Sequence, residues 1–169
     1  TVKEVVPNRE NIPSKPHKRI IKDVENVPYP EKLIVPFIDT VHNRVVLELF
    51  RGCTRGCRFC QAGMIYRPIR EKSVERLKEI VDKLVKSTGY DEISLSSLST
   101  SDYSKLSELT DYLVDEYASN NIGISLPSLR LDNFSMEIAE KIQQVRKSGL
   151  TFAPEAGTQR LRDVINKGV

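Results

Sequence analysis

The sequence predicts an α/β protein built on a parallel sheet. Two observations carry that expectation: short aliphatic and β-branched runs alternate with stretches of helical apolar spacing, and this alternation occurs four times in a row beyond Val41. A third, the polar residues after every apolar run, suits a parallel sheet whose connections on one side carry function.

Taken in order, residues 44–50 form the first expected strand, rich in Val and Leu and closed by the turn signal Arg51-Gly52. Ser73 then reads as an N-cap, with Arg76 where a capping box would have Glu. Val74, Leu77, Ile80, Val81, Leu84 and Val85 recur at helical spacing up to Gly89. Residues 92–95 are a second strand. A helix is expected from 102 to 119, with Leu106, Leu109, Leu113, Val114 and Tyr117 on one face. Residues 122–126 are a third strand. Ser135 caps a helix turning Ile138, Ile142 and Val145 inward, stopped by Gly149. Residues 150–153 are a fourth strand, before a helix holding Leu161, Val164 and Ile165. Four βα units joined by right-handed crossovers leave a doubly wound open sheet or a (β/α) barrel, complete or partial.

Ahead of these units, residues 1–36 contain Pro7, Pro13, Pro16, Pro28, Pro30 and Pro36. Each removes a backbone donor and fixes a dihedral, so the stretch reads as an extended arm or linker, and residues 37–169 as the domain proper. Thr1 is not an initiator methionine, which suggests a fragment with something upstream. The arm's small basic excess fits a solvated linker. Over the whole chain 26 basic residues face 23 acidic ones, a mixture that gives nucleic-acid binding little support. No apolar run approaches the ~18 residues of a membrane span and no signal peptide begins the chain, so a cytoplasmic protein is expected.

The chemistry concentrates in Cys53-x3-Cys57-x2-Cys60, which holds all three cysteines of the chain. Three thiolates on a short glycine-containing loop can grip one face of an iron–sulfur cubane and leave one iron open. A zinc site would want a fourth ligand. The two histidines, His17 and His42, lie in the arm and before the first strand, with no second Cys pair. Buried structural cysteines suit a loop of glycines and arginines poorly.

The sequence Cys53-x3-Cys57-x-Phe59-Cys60, with an aromatic residue before the third cysteine and at the end of a first strand, resembles the signature of the radical S-adenosylmethionine (SAM) superfamily. The wider stretches 51–63, 125–130 and 151–161 resemble a bacterial family in which a radical SAM domain follows an N-terminal domain similar to cobalamin-binding domains. The barrel-type core of the superfamily has six βα units. The resemblance therefore implies a partial (β/α) TIM-like barrel, truncated after about four units.

It further implies that Cys53, Cys57 and Cys60 ligate three irons of a [4Fe-4S] cluster. The fourth iron would chelate SAM, and one electron would split SAM into methionine and a 5′-deoxyadenosyl radical that takes hydrogen from an unknown substrate. Phe59 would lie near the adenine. Ser96, Ser97 and Ser99 occupy the place of a Gly-Gly-Glu segment in many members, from which this sequence departs; Ser97 is the SAM-contact candidate there. Ser128 and Arg130 would reach the SAM carboxylate or ribose, and Glu155 the ribose hydroxyls or the amino group. Arg55, Arg58, Arg67 and Arg70 would make the loop electropositive. An external electron donor such as flavodoxin or ferredoxin is implied, with cobalamin in an upstream domain and tRNA among the conceivable substrates. The fragment would either self-associate or pack its arm along the open sheet edge. The competing class is a non-catalytic iron–sulfur electron-transfer module, or a zinc-stabilised binding module.

Overall fold

Alternation of buried and exposed residues along Val45–Glu48 makes that segment the first strand, β1: Val45 and Leu47 are fully buried, whereas Val46 is half exposed. In this computed structural model, which describes residues 3, 4, 6–15, 17–133 and 135–169, β1 pairs in parallel with β4 (Glu92–Ser96), which pairs in parallel with β5 (Gly123–Ser125). The sheet order β1-β4-β5 is that of successive βα units laid side by side, and the barrel is not closed.

The register divides the sheet into two unlike faces. Val45, Leu47, Ile93, Leu95 and Ile124 lie on one, all buried, under the helices that follow the strands. The other carries Val46 opposite Ser94, Ser94 opposite Ser125, and Glu48 opposite Ser96. Helix α2 (Val74–Thr88) covers β1 with Val74, Leu77, Ile80, Val81 and Leu84. Each such side chain contributes about 1.5–3 kcal/mol by leaving water. Its Ser73 hydroxyl accepts from Arg76 N–H at 3.0 Å, and Gly89 ends it in the left-handed conformation, φ 70°. Helix α3 (Leu106–Tyr117) packs on α4 (Met136–Val145), and α4 on β5.

Several boundaries differ from the sequence reading. The first expected strand is two: after Glu48 the chain turns, and β2 (Phe50–Arg51) pairs antiparallel with β3 (Arg70–Glu71), enclosing the cysteine loop and the one-turn helix α1 (Ala62–Ile65). The helix expected from 102 begins at Leu106, behind a 3₁₀ turn at Thr100–Asp102. Tyr103 is held there by donating its hydroxyl to Lys72 O at 2.9 Å, and Ser104 by the Glu71 carboxylate. Helix α4 stops at Val145 rather than Gly149. The fourth strand shrinks to one parallel bridge, Leu129 with Phe152. The run is four residues long, two of them exposed, and Pro154 beyond it has no N–H to give. Helix α5 (Gln159–Val164) follows, capped by Thr158.

The arm has no helix or strand among its described residues, and Pro16 lies outside them. It is nevertheless tied down. Val24 is buried, the Glu25 carboxylate accepts from Ser73 N–H at 2.8 Å, and the Tyr29 hydroxyl donates to Val46 O on β1 at 2.9 Å. Lys83 pairs with Glu31. No helix among the described residues is long and apolar enough to cross a membrane.

Candidate cluster and cofactor site

The cysteine loop leaves β2 through Gly52, whose φ of 107° and close approach to the strand beyond admit no side chain. A Cβ there would stand 2.5 Å from Pro68 O and 3.0 Å from Ile69 Cα. Cys53 N–H donates to Tyr66 O and Cys60 N–H to Cys57 O, at 2.9 and 3.0 Å, so the loop folds back on itself. Gly56 has φ 70°, and Gly63 lies against it so tightly that a Cβ on Gly63 would be 3.1 Å from Gly56 N. Arg67 donates Nε to Gly63 O and NH2 to Thr54 O, bracing the loop from inside.

All three thiols are free, Cys57 buried and Cys53 and Cys60 half-buried. Among the described residues no three Cys, His, Asp or Glu side chains stand close enough together to hold a metal ion. The fit to an iron–sulfur cluster therefore lies in the chemistry of the donor set, three unpaired thiols on one loop, rather than in a preformed cage.

Two clasps fasten this loop to neighbouring connections. The first runs through Arg55, between the first two cysteines. Its Nε donates to Asp102 Oδ2 at 2.8 Å and its NH2 to Asp102 Oδ1, while NH1 reaches Asp132 Oδ2 at 3.2 Å. Burial alone would raise the Asp102 pKa; the Arg55 hydrogen bonds outweigh it and hold the carboxyl below its usual range. Asp132 in turn accepts Nε and NH2 of Arg130, both at 2.9 Å. The Arg55 charge expected to make the loop electropositive is thus largely met by two carboxylates.

The second clasp comes from the end of α5. Arg58 N–H donates to Ile165 O at 2.9 Å, its guanidinium to Val164 O, and Asn166 Nδ2 to Gly56 O at 2.9 Å. Lys167 Nζ lies 5.9 Å from the Phe59 ring centroid and 3.3 Å from Glu155 Oε1. Arg130 NH2 donates to Gly168 O at 2.6 Å.

Of the candidate cofactor contacts, Phe59 is 55% exposed on the loop beside Lys167. Ser97 shares a 3.3 Å hydrogen bond with Thr100 Oγ1 and accepts from Ser99 N–H. Ser128 is exposed with φ 60°, and its carbonyl accepts from Thr100 N–H at 3.2 Å. Arg130 is buried and engaged by Asp132 and Gly168. Glu155 is exposed, φ 67°, and paired with Lys167. Arg58 is spent on the α5 end and Arg70 on Ile21 O. The sequence reading missed Asp102 as a loop partner, Asp132, Asn166 and Lys167. Only proximity in space marks them, since Arg55 and Asp132 lie 77 residues apart in the chain.

A loop of three free thiols beyond the C-terminal ends of a parallel βα sheet places the chain among α/β proteins whose sites lie at the strand ends. Residues 47–169 match the radical SAM superfamily profile, and the chain belongs to that superfamily. It is 36% identical over 124 residues to the uncharacterized protein MJ0966 of Methanocaldococcus jannaschii, covering 73% of this chain. It is 29% identical over 133 residues to the protein of the same organism named "Putative methylthiotransferase MJ0865", again covering 73% of this chain. The chain spans 26% and 29% of the length of these two relatives.

Proposed function

We propose that Cys53, Cys57 and Cys60 hold a [4Fe-4S] cluster and that SAM binds beside it, for reductive cleavage and hydrogen abstraction. The observation that carries the reading is the donor set: three free thiols on one loop, at the strand ends where connections from β2, β4 and β5 meet. Cluster and SAM together supply one-electron cleavage to methionine and a 5′-deoxyadenosyl radical. The chain's own residues orient and shield. Gly52 and Gly56 set the path of the loop, and the Arg55 and Asn166 clasps fix it against the sheet edge. In this reading Phe59, Ser97, Ser128 and Glu155 contact SAM, supported by their location on the connections around the cysteine loop. Arg130 takes part only by exchanging Asp132 for the SAM carboxylate. The electron comes from an external flavodoxin- or ferredoxin-type donor, and the methylthio transfer in the second relative's name is one outcome such chemistry serves.

Anaerobic reconstitution with iron and sulfide tests this. The expected result is about four irons per chain, lost in Cys57→Ala, with 5′-deoxyadenosine formed after dithionite and SAM. Iron binding indifferent to Cys57→Ala would remove the basis of the reading. A cluster whose spectrum ignores SAM would make the chain an electron-transfer module instead.

A further inference from the structure

A cleft of about 530 Å³ opens at the C-terminal ends of β1 and β4, on the polar face of the sheet and next to the start of the cysteine loop. Its walls include Lys18 and Arg19 from the arm, Arg51 and Arg70 from the β2-β3 pair, and Glu48 and Ser96 from the strand ends. That volume is within the range of small-molecule sites, roughly 300–1,000 Å³.

The cleft holds more positive charge than the chain balances. Glu48 is its one carboxylate, and it is already shared between Arg51, through bonds of 2.9 and 3.0 Å, and the buried Lys72, 2.9 Å away. Lys18 donates to Ile65 O and sits over the Tyr66 ring. Arg70 donates to the carbonyls of Pro68 and Ile21. Neither they nor Arg19 form an ion pair among the described residues. Elsewhere Arg44, Arg55 and Arg130 meet the carboxylates of Glu92, Asp102 and Asp132, whereas Arg58 and Arg67, like Arg70, donate to backbone carbonyls. The Ser96 hydroxyl at the floor has no partner among the described residues and is free to donate.

Three cations facing one concave surface without counter-charge repel one another, and an anion entering between them relieves that repulsion. A phosphate offers several acceptor oxygens to such a set, where a single carboxylate would leave donors over. We propose that this cleft binds a small molecule bearing a phosphate or diphosphate group. It assigns a substrate class to the radical site and rests on the proposed function for that role, though not for binding.

The test uses the cluster-free chain at low salt, titrated with inorganic pyrophosphate and followed by the backbone amide resonances of the nitrogen-labelled protein. Saturable shifts at Gly52, Arg70 and Ser96 are expected. Arg19→Glu, which breaks no side-chain hydrogen bond or ion pair among the described residues, should weaken binding by about tenfold or more. Arg9→Glu, elsewhere on the arm, should leave it unchanged. Shifts scattered over the surface, or affinity equal in Arg19→Glu and the parent, would overturn the proposal. So would displacement of pyrophosphate by SAM, which would give the cleft to the cofactor. Failure of cluster reconstitution would sink the function reading and leave these binding results standing.

Discussion

Gly52→Ala strikes the point where the thiolate loop leaves the sheet. The new methyl group would lie 2.5 Å from Pro68 O and 3.0 Å from Pro68 C and Ile69 Cα, all backbone atoms that cannot rotate away, at a φ of 107° that L side chains rarely adopt. Backbone strain of about 1–3 kcal/mol adds to an overpacking cost of about 1–3 kcal/mol, so the variant should lose roughly 2–6 kcal/mol of a total stability of about 5–15. For a domain of this size that corresponds to a fall in Tm of about 4–24 °C. Thermal unfolding of the cluster-free chain, followed by circular dichroism, measures it. Gly149→Ala is the control, with an ordinary φ and nothing within 4 Å of the added carbon. A Gly52→Ala midpoint within about 2 °C of the parent would refute the geometry on which the loop's path rests.

Asn166→Ala removes the side-chain donor to Gly56 O and Arg55 O; amide exchange should quicken in residues 53–60 while α2 keeps its protection, and uniform protection across the chain would contradict the clasp. Leu109→Ala, at a fully buried α3 position, should cost about 2–5 kcal/mol, read from urea midpoints. Burial alone would raise the Glu48 pKa, yet hydrogen bonds from Arg51 and Lys72 hold it below the usual glutamate value of 4.5. A depressed folded-state pKa stabilises above the unfolded value and is lost as pH falls through the folded one. Stability should therefore drop below pH 4.5, and Glu48→Gln should flatten that part of the profile; identical acid limbs would refute the pairing.

The sequence revealed those parts of the fold that local chemistry decides. Ser73 and Gly89 bracket α2 as expected because a cap and a left-handed stop are written in single residues, and the apolar spacing of Val74, Leu77, Ile80, Val81 and Leu84 is local. The β2-β3 pair was not legible, since two residues on each side recognise each other only through chain reversal around the cysteine loop. Residues 150–153 looked like a strand by composition, but pairing depends on a neighbour, and β5 ends at Ser125, leaving only the Leu129–Phe152 bridge. At the site the cysteine spacing was readable in eight residues, whereas the partners of Arg55 and Gly56 come from loops 47 and 110 residues away. Charge pairing at that separation leaves no trace in sequence pattern, so the arginines read as an electropositive loop although Arg55 is met by two aspartates.

The measurement that bears most directly on the account is Mössbauer spectroscopy of the anaerobically reconstituted chain, prepared with isotopically enriched iron, with and without SAM. Ligation by Cys53, Cys57 and Cys60 alone predicts that about a quarter of the iron signal, one site of a cubane, shifts when SAM is added. Iron sites that all stay unchanged with SAM, or a chain that takes up no iron, would contradict it.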